Sequence, residues 1–178
     1  SGDNSAISDD AKYGAILFYG KGKCAACHSG PLFSDFEFHS LAVKQGGPGI
    51  AMSGEDLGRY HVTKVKKDKY KFRTPPLRNV TLTAPYFHDG VAKTLREVID
   101  HHIDPLYLAD KYDETGAHAL NVDQINSVSY ALERGGSLSE QEITAVLEFL
   151  QALEDPQLDM IEHIIPKSVP SGLQISKY

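Results

Sequence analysis

Two stretches of this chain carry a clear helical rhythm. Between Thr94 and Pro105, Leu95, Val98, Ile99, His102 and Ile103 fall on one face at i, i+3, i+4, i+7 and i+8. Thr94 and Glu97 make a capping box at the start, and Pro105 stops the helix. A second box, Ser139 with Glu142, opens another helix whose predicted buried stripe is Ile143, Val146, Leu147, Leu150 and Leu153, ended by Pro156. A shorter helix is predicted after Ser8, an N-cap ahead of Asp9 and Asp10, acidic residues that suit the positive end of a helix dipole. Ala11, Ile16, Leu17 and Phe18 supply its apolar side, and it runs to Gly20-Lys21-Gly22.

Elsewhere the rhythm fades. Residues 1–7 are small and polar, a frayed terminus. Residues 29–60 read as loop, with Gly-Gly-Pro-Gly at 46–49. Residues 62–73 alternate Val62, Val65, Tyr70 and Phe72 with lysines, which predicts a short, exposed strand pair. Residues 104–136 read as a variable insertion, a loop followed by a modest helix around 121–133, and 157–178 as an extended C-terminal strap broken by Pro166, Pro170 and Gly172. With no repeat and no linker, the pattern predicts one all-α domain over residues 1–178.

A chain of 178 residues is long enough to bury a real core. Its formal charge of −6 argues against a nucleic-acid partner. No apolar run approaches the roughly 20 residues of a membrane-spanning helix, and no signal-peptide pattern opens the chain.

The chemistry concentrates in Cys24-Ala25-Ala26-Cys27-His28. Cys-x-x-Cys-His is the attachment site of a c-type haem. Two thiols three positions apart reach the two vinyl groups of one porphyrin, and the next residue supplies the proximal imidazole. A structural zinc site needs four protein ligands, and the chain has no further cysteine. A thioredoxin-like redox pair belongs in a βαβ context, which is not visible around residue 24. The expectation is a cytochrome c-like haem domain with long loops wrapping one covalent haem. Covalent haem attachment takes place outside the bacterial cytoplasm, so the motif implies an exported, periplasmic protein whose leader has been removed.

A second axial ligand must come from His39, His61, His88, His101, His102, His118, His163, Met52 or Met160. Periodicity favours His102, which shares the apolar stripe, whereas His101 sits about 100° away. A core histidine bonded to a backbone carbonyl is the plainer reading of His102. His88, in the aromatic turn Tyr86-Phe87-His88-Asp89-Gly90, is the main rival, and Met52 a weaker one.

Several stretches together resemble the bacterial di-haem cytochrome c peroxidase family, which includes the enzyme that matures the tryptophan tryptophylquinone of methylamine dehydrogenase. They are 22–33 around the cysteine motif, Asp-Leu-Gly-Arg-Tyr at 56–60, Phe-Arg-Thr-Pro-Pro-Leu-Arg-Asn-Val at 72–80, Leu-Thr-Ala-Pro-Tyr-Phe-His-Asp-Gly at 82–90, Thr-Leu-Arg-Glu-Val-Ile at 94–99 and Val-Pro-Ser-Gly-Leu at 169–173. Their order matches the family's C-terminal haem domain. The resemblance implies that a partner N-terminal haem domain carries the peroxide-reacting haem while this domain stores and relays an electron. The family's distal ligand, methionine or tyrosine, aligns with His102, so a histidine there implies bis-histidine iron of lower potential than a His/Met haem. Arg73 and Arg78 match arginines of the haem pocket, suited to propionates. The backbone carbonyls of Thr83 and Pro85 match calcium ligands at the family's domain interface, the remaining ligands there coming from the other half or from water.

Lys64, Lys66, Lys67, Lys69 and Lys71 form a basic run in an acidic chain. It reads either as a solvated strand or as a surface steering an acidic redox partner. Three functions compete. The first is an electron-relay domain of a di-haem peroxidase-type enzyme, which is not catalytic alone. The others are a free-standing cytochrome exchanging electrons with a small redox protein, and a haem enzyme acting on peroxide by itself.

Overall fold

The computed structural model describes residues 2–43, 55–111, 120, 122–133, 136–158, 166 and 168–173. Its main frame is a pair of helices from opposite ends of the chain. Helix α1, Asp9–Tyr19, starts where the Ser8 hydroxyl accepts from the Ala11 N–H at 3.1 Å, with Asp9 and Asp10 in the first turn. It ends at Gly20, whose N–H bonds the Ile16 and Leu17 carbonyls. Helix α7, Glu140–Gln151, starts on the predicted capping box, with the Glu142 N–H donating to the Ser139 hydroxyl and the Ser139 N–H to the Glu142 carboxylate.

The two helices touch backbone to backbone at Gly14. A Cβ there would collide with the Ala145 carbonyl. This close approach revises both predicted stripes. On α1 the buried residues are Ala11, Gly14, Leu17 and Phe18, while Ile16 is 69% exposed. On α7 Ala145 and Phe149 are buried beside Ile143, Val146 and Leu150, while Leu147 is only half-buried. Phe149 joins an aromatic cluster with Phe18 (centroids 5.2 Å apart) and Phe33 (5.9 Å), so the core is wider than a narrow aliphatic stripe.

Helix α3, Leu95–Ile103, carries the other predicted box: the Glu97 N–H donates to the Thr94 hydroxyl, and the Thr94 N–H to the Glu97 carboxylate. Arg96 fastens α3 to α7, reaching Asp100 on its own helix and both carboxylate oxygens of Glu140 at 2.7 Å. Such exposed pairs add at most about 1 kcal/mol, so they orient more than they stabilise.

The predicted strand pair over 62–73 is not formed. Tyr60–Thr63 make a single helical turn, α2, ended by Lys64 at φ 58°. A 3₁₀ turn follows at Lys66–Asp68. The Thr63 hydroxyl donates to Asp68, Arg59 N–H bonds the Lys71 carbonyl, and Tyr70 N–H bonds Leu57, closing 57–71 into a loop. Local turn chemistry thus overrides the alternation. Only Phe72–Arg73 is strand, β2, paired antiparallel with β1, Phe38–His39, from the stretch read as loop.

In place of one modest helix in 104–136, the described residues form three short ones, α4 (Tyr107–Lys111), α5 (Val122–Asn126) and α6 (Tyr130–Glu133). Most of the predicted C-terminal strap lies outside the described residues, as do Met52, His118, Met160 and His163.

Candidate functional site

A cavity of about 550 Å³ opens between the cysteine motif, α3 and the loops around β2. On one side Cys24–Ala26 form a 3₁₀ turn entered through Lys23 at φ 55°, and the His28 N–H bonds the Cys24 carbonyl at 2.9 Å. This tight coil presents Cys24, Cys27 and His28 together to the cavity. Opposite, all five residues of the α3 stripe, Leu95, Val98, Ile99, His102 and Ile103, line it. Helical periodicity alone found that wall.

The two histidines face each other with ring centroids 6.3 Å apart. His28 donates through Nδ1 to the Phe33 carbonyl at 3.0 Å, and His102 through Nδ1 to the Val98 carbonyl at 2.7 Å. Each therefore keeps Nε2 as the nitrogen with a free lone pair, the arrangement that fixes the tautomer of a metal-binding imidazole. Burial, reinforced by the His102 ring, lowers the His28 pKa to about 4. Burial also lowers that of His102, so both rings are neutral and able to donate to a metal. His102 is only half-buried by exposure because its ring borders the open cavity.

A haem fits these residues. With about 2 Å for each metal–imidazole bond and about 1 Å more to each ring centre, two rings on opposite faces of one metal lie about 6 Å apart. That is the observed spacing. The remaining lining is mostly apolar, as a porphyrin requires. Burial raises the Cys24 thiol to about 11 and raises Cys27 as well. A neutral thiol is a poor nucleophile for disulfide exchange, which needs thiolate.

The other candidates divide. His88 lines the cavity with its ring stacked on Phe72, centroids 3.7 Å apart, and burial lowers its pKa. Arg73 lines the cavity too, its guanidinium 4.6 Å from the Phe36 ring centre. Arg78 is not among the lining residues; it is exposed and donates from Nε to the Pro31 carbonyl at 3.0 Å. The two arginines thus lie in different surroundings, on either side of the segment Thr74-Pro75-Pro76-Leu77. Thr83 and Pro85 line the cavity. His61 lies at the surface, accepting at Nε2 from the Leu57 N–H.

Two arrangements of named histidines escaped notice in the sequence. His101, read as merely off the stripe, is 1% exposed. It faces away from the cavity lining, donating from Nε2 to the Leu41 carbonyl at 2.7 Å, edge-on to Phe87. Leu41 lines the cavity, so His101 braces a wall from behind. His39 pairs through Nε2 with Asp35 at 2.8 Å, and their ligating atoms lie within 4.8 Å of the Cys27 sulfur. The i, i+4 spacing of Asp35 and His39 was the available signal.

No family model matches the chain. It is 30% identical over 190 residues to the cytochrome c peroxidase IdrP2 of Denitromonas iodatirespirans, covering 95% of this chain and 46% of that one. It is 44% identical over 104 residues to the methylamine utilization protein MauG of Methylorubrum extorquens, covering 57% of this chain and 27% of that protein. Among solved structures, a MauG-like protein associated with microbial copper homeostasis superposes with a TM-score of 0.70 at 28% identity, covering 85% of this chain and 49% of that chain. The chain thus spans at most about half the length of the relatives it matches.

Proposed function

We propose, for a chain homologous to the C-terminal part of the bacterial di-haem cytochrome c peroxidases and therefore a haem domain of that family, that it holds one covalent haem c and relays electrons. In this reading Cys24 and Cys27 form the thioethers, and His28 and His102 are the axial ligands. The observation that carries it is the pair of neutral imidazoles facing each other 6.3 Å apart across a mostly apolar cavity, each with Nδ1 tied to a backbone carbonyl. The haem, when bound, supplies a one-electron store.

The protein's own residues do the rest. Phe33 and Val98 carbonyls hold the two rings in the donating tautomer. Leu95, Val98 and Ile99 exclude water, and Arg73 stands on the lining where a propionate would need a cation. Two protein ligands leave no side open to peroxide, so the domain serves a second haem domain of the same enzyme rather than acting on peroxide itself. Covalent attachment places it in the periplasm. Among the described residues no helix is long and apolar enough to cross a membrane. Calcium stays outside the reading, since Thr83 and Pro85 offer backbone carbonyls and a calcium ion takes about six to eight oxygens.

The test is spectroscopic. His102→Ala in the haem-loaded protein should turn a low-spin iron high-spin and let cyanide bind, while His101→Ala should not. The same change from His88→Ala, with His102→Ala silent, would overturn the ligand assignment.

A further inference from the structure

Apart from Tyr70, the basic loop over 57–71 takes no part in the site, yet it grows directly out of the cavity wall. Its base is fixed by the Arg59 N–H bond to the Lys71 carbonyl and the Tyr70 N–H bond to Leu57. Tyr70, Phe72 and Arg73, at the end of the loop and just beyond, line the cavity.

The charges of this loop are sorted. Asp68 faces Arg59 at 3.7 Å and Lys71 at 3.8 Å, and Lys69 pairs with Asp123 at 3.2 Å, so these cations are locally compensated. Lys64, Lys66 and Lys67 are exposed, and among the described residues no acidic group pairs with them. Val65, 45% exposed, stands between Lys64 and Lys66 in the chain, and Val62, 85% exposed, precedes them. Exposed apolar side chains beside uncompensated charges suit a transient protein interface, and this one carries positive charge on a chain of net −6. Five residues span at most about 17 Å, so Val65 is within that distance of Tyr70 on the cavity wall.

Resting on the relay reading above, we infer that the tip of the 57–71 loop is the docking surface for a small redox protein with an acidic face, and that electrons enter or leave the haem domain there. The transfer moves one electron between the partner's centre and the haem iron, one being oxidised as the other is reduced, with no bond made or broken. Uncompensated rim charges act on encounter, so the patch sets association rate and salt dependence more than affinity.

The probe is a reduced plant-type ferredoxin, an acidic one-electron protein, mixed with the ferric haem-loaded protein in stopped flow at about 10 mM ionic strength, where charges act over about 30 Å. The methyl viologen radical cation, a small and strongly reducing one-electron donor, is the control reductant. Reduction by ferredoxin should slow with added salt. Lys66→Glu/Lys67→Glu should slow it about tenfold or more and flatten the salt dependence, within the range electrostatic steering covers. Lys12→Glu/Lys93→Glu, the same change in net charge elsewhere, should alter it less than twofold. Equal slowing by both pairs, no slowing by either, or no reduction by ferredoxin of a protein that the viologen radical reduces, overturns the docking surface. Failure of the relay reading looks different: then neither reductant reduces the unmodified protein.

Discussion

The α1–α7 frame and the loop-built wall of the cavity are made by opposite means. The frame is held mainly by its own contacts, capped helix ends, a backbone contact at Gly14 and an aromatic cluster, although Phe18, Val146 and Leu150 also border the cavity. The wall is built from loops that hold Tyr70 and Phe87, both on the lining, at positive φ. Non-glycine residues in that region are strained and persist only where surrounding contacts over-determine them. Where the frame supplies its own contacts, the wall faces a cavity of about 550 Å³ and draws on what fills it. The lesson is that one half of the fold is a scaffold and the other half is a mould.

The largest break in that contrast should come from removing both attachment thiols. Cys24→Ala/Cys27→Ala should abolish covalent haem, leaving no haem stain on a denaturing gel. Hydrogen exchange should then speed up over 33–43 and 70–92, while α1 and α7 stay protected. Uniform loss of protection would show that the frame depends on the haem as much as the wall does.

Gly14→Ala strikes the frame instead. Alanine in a helix interior normally gains up to about 1 kcal/mol over glycine, but here its Cβ meets the Ala145 carbonyl. Overpacking against backbone should reverse the sign and cost about 3 kcal/mol, read as a lower denaturation midpoint with the haem still attached. A neutral or stabilising result would mean that the helices can separate freely.

Thr94→Ala lies on the border between the two regions, since α3 hangs from the frame and forms the wall. Losing the cap should cost about 1 kcal/mol in chemical denaturation. If the haem spectrum also shifts, the cap helps to aim His102. Arg73→Leu should give the smallest change, with stability intact and a lower midpoint potential, because a cation beside the iron favours its less positive reduced form. Arg78→Leu, with its guanidinium against Pro31, should leave the potential unmoved; equal shifts from both would draw Arg78 into the pocket.

Much of the frame was legible because its signals are local. Ser8, the Thr94–Glu97 box and the Ser139–Glu142 box each satisfy backbone N–H groups within three residues, and all three helices start where those residues predict. The α3 stripe was legible for the same reason, since 3.6-residue periodicity sets which side chains share a face. The loop over 57–71 was misread because alternation is a weak signal when neither face is fixed by a core. The described part of 104–136 holds three short helices where one was expected.

By itself the sequence determined the two edges of the cavity: Cys24, Cys27 and His28 on one coil, and an apolar stripe that includes His102 on one helix. These are properties of spacing, and spacing within a single turn or helix survives any tertiary arrangement. Only the tertiary structure decided that the two edges meet, with imidazoles 6.3 Å apart. It alone turned His101 away toward Leu41, separated Arg73 from Arg78, and pressed Gly14 onto Ala145. Those outcomes depend on contacts between segments far apart in the chain, where packing chooses among faces that local periodicity leaves equivalent.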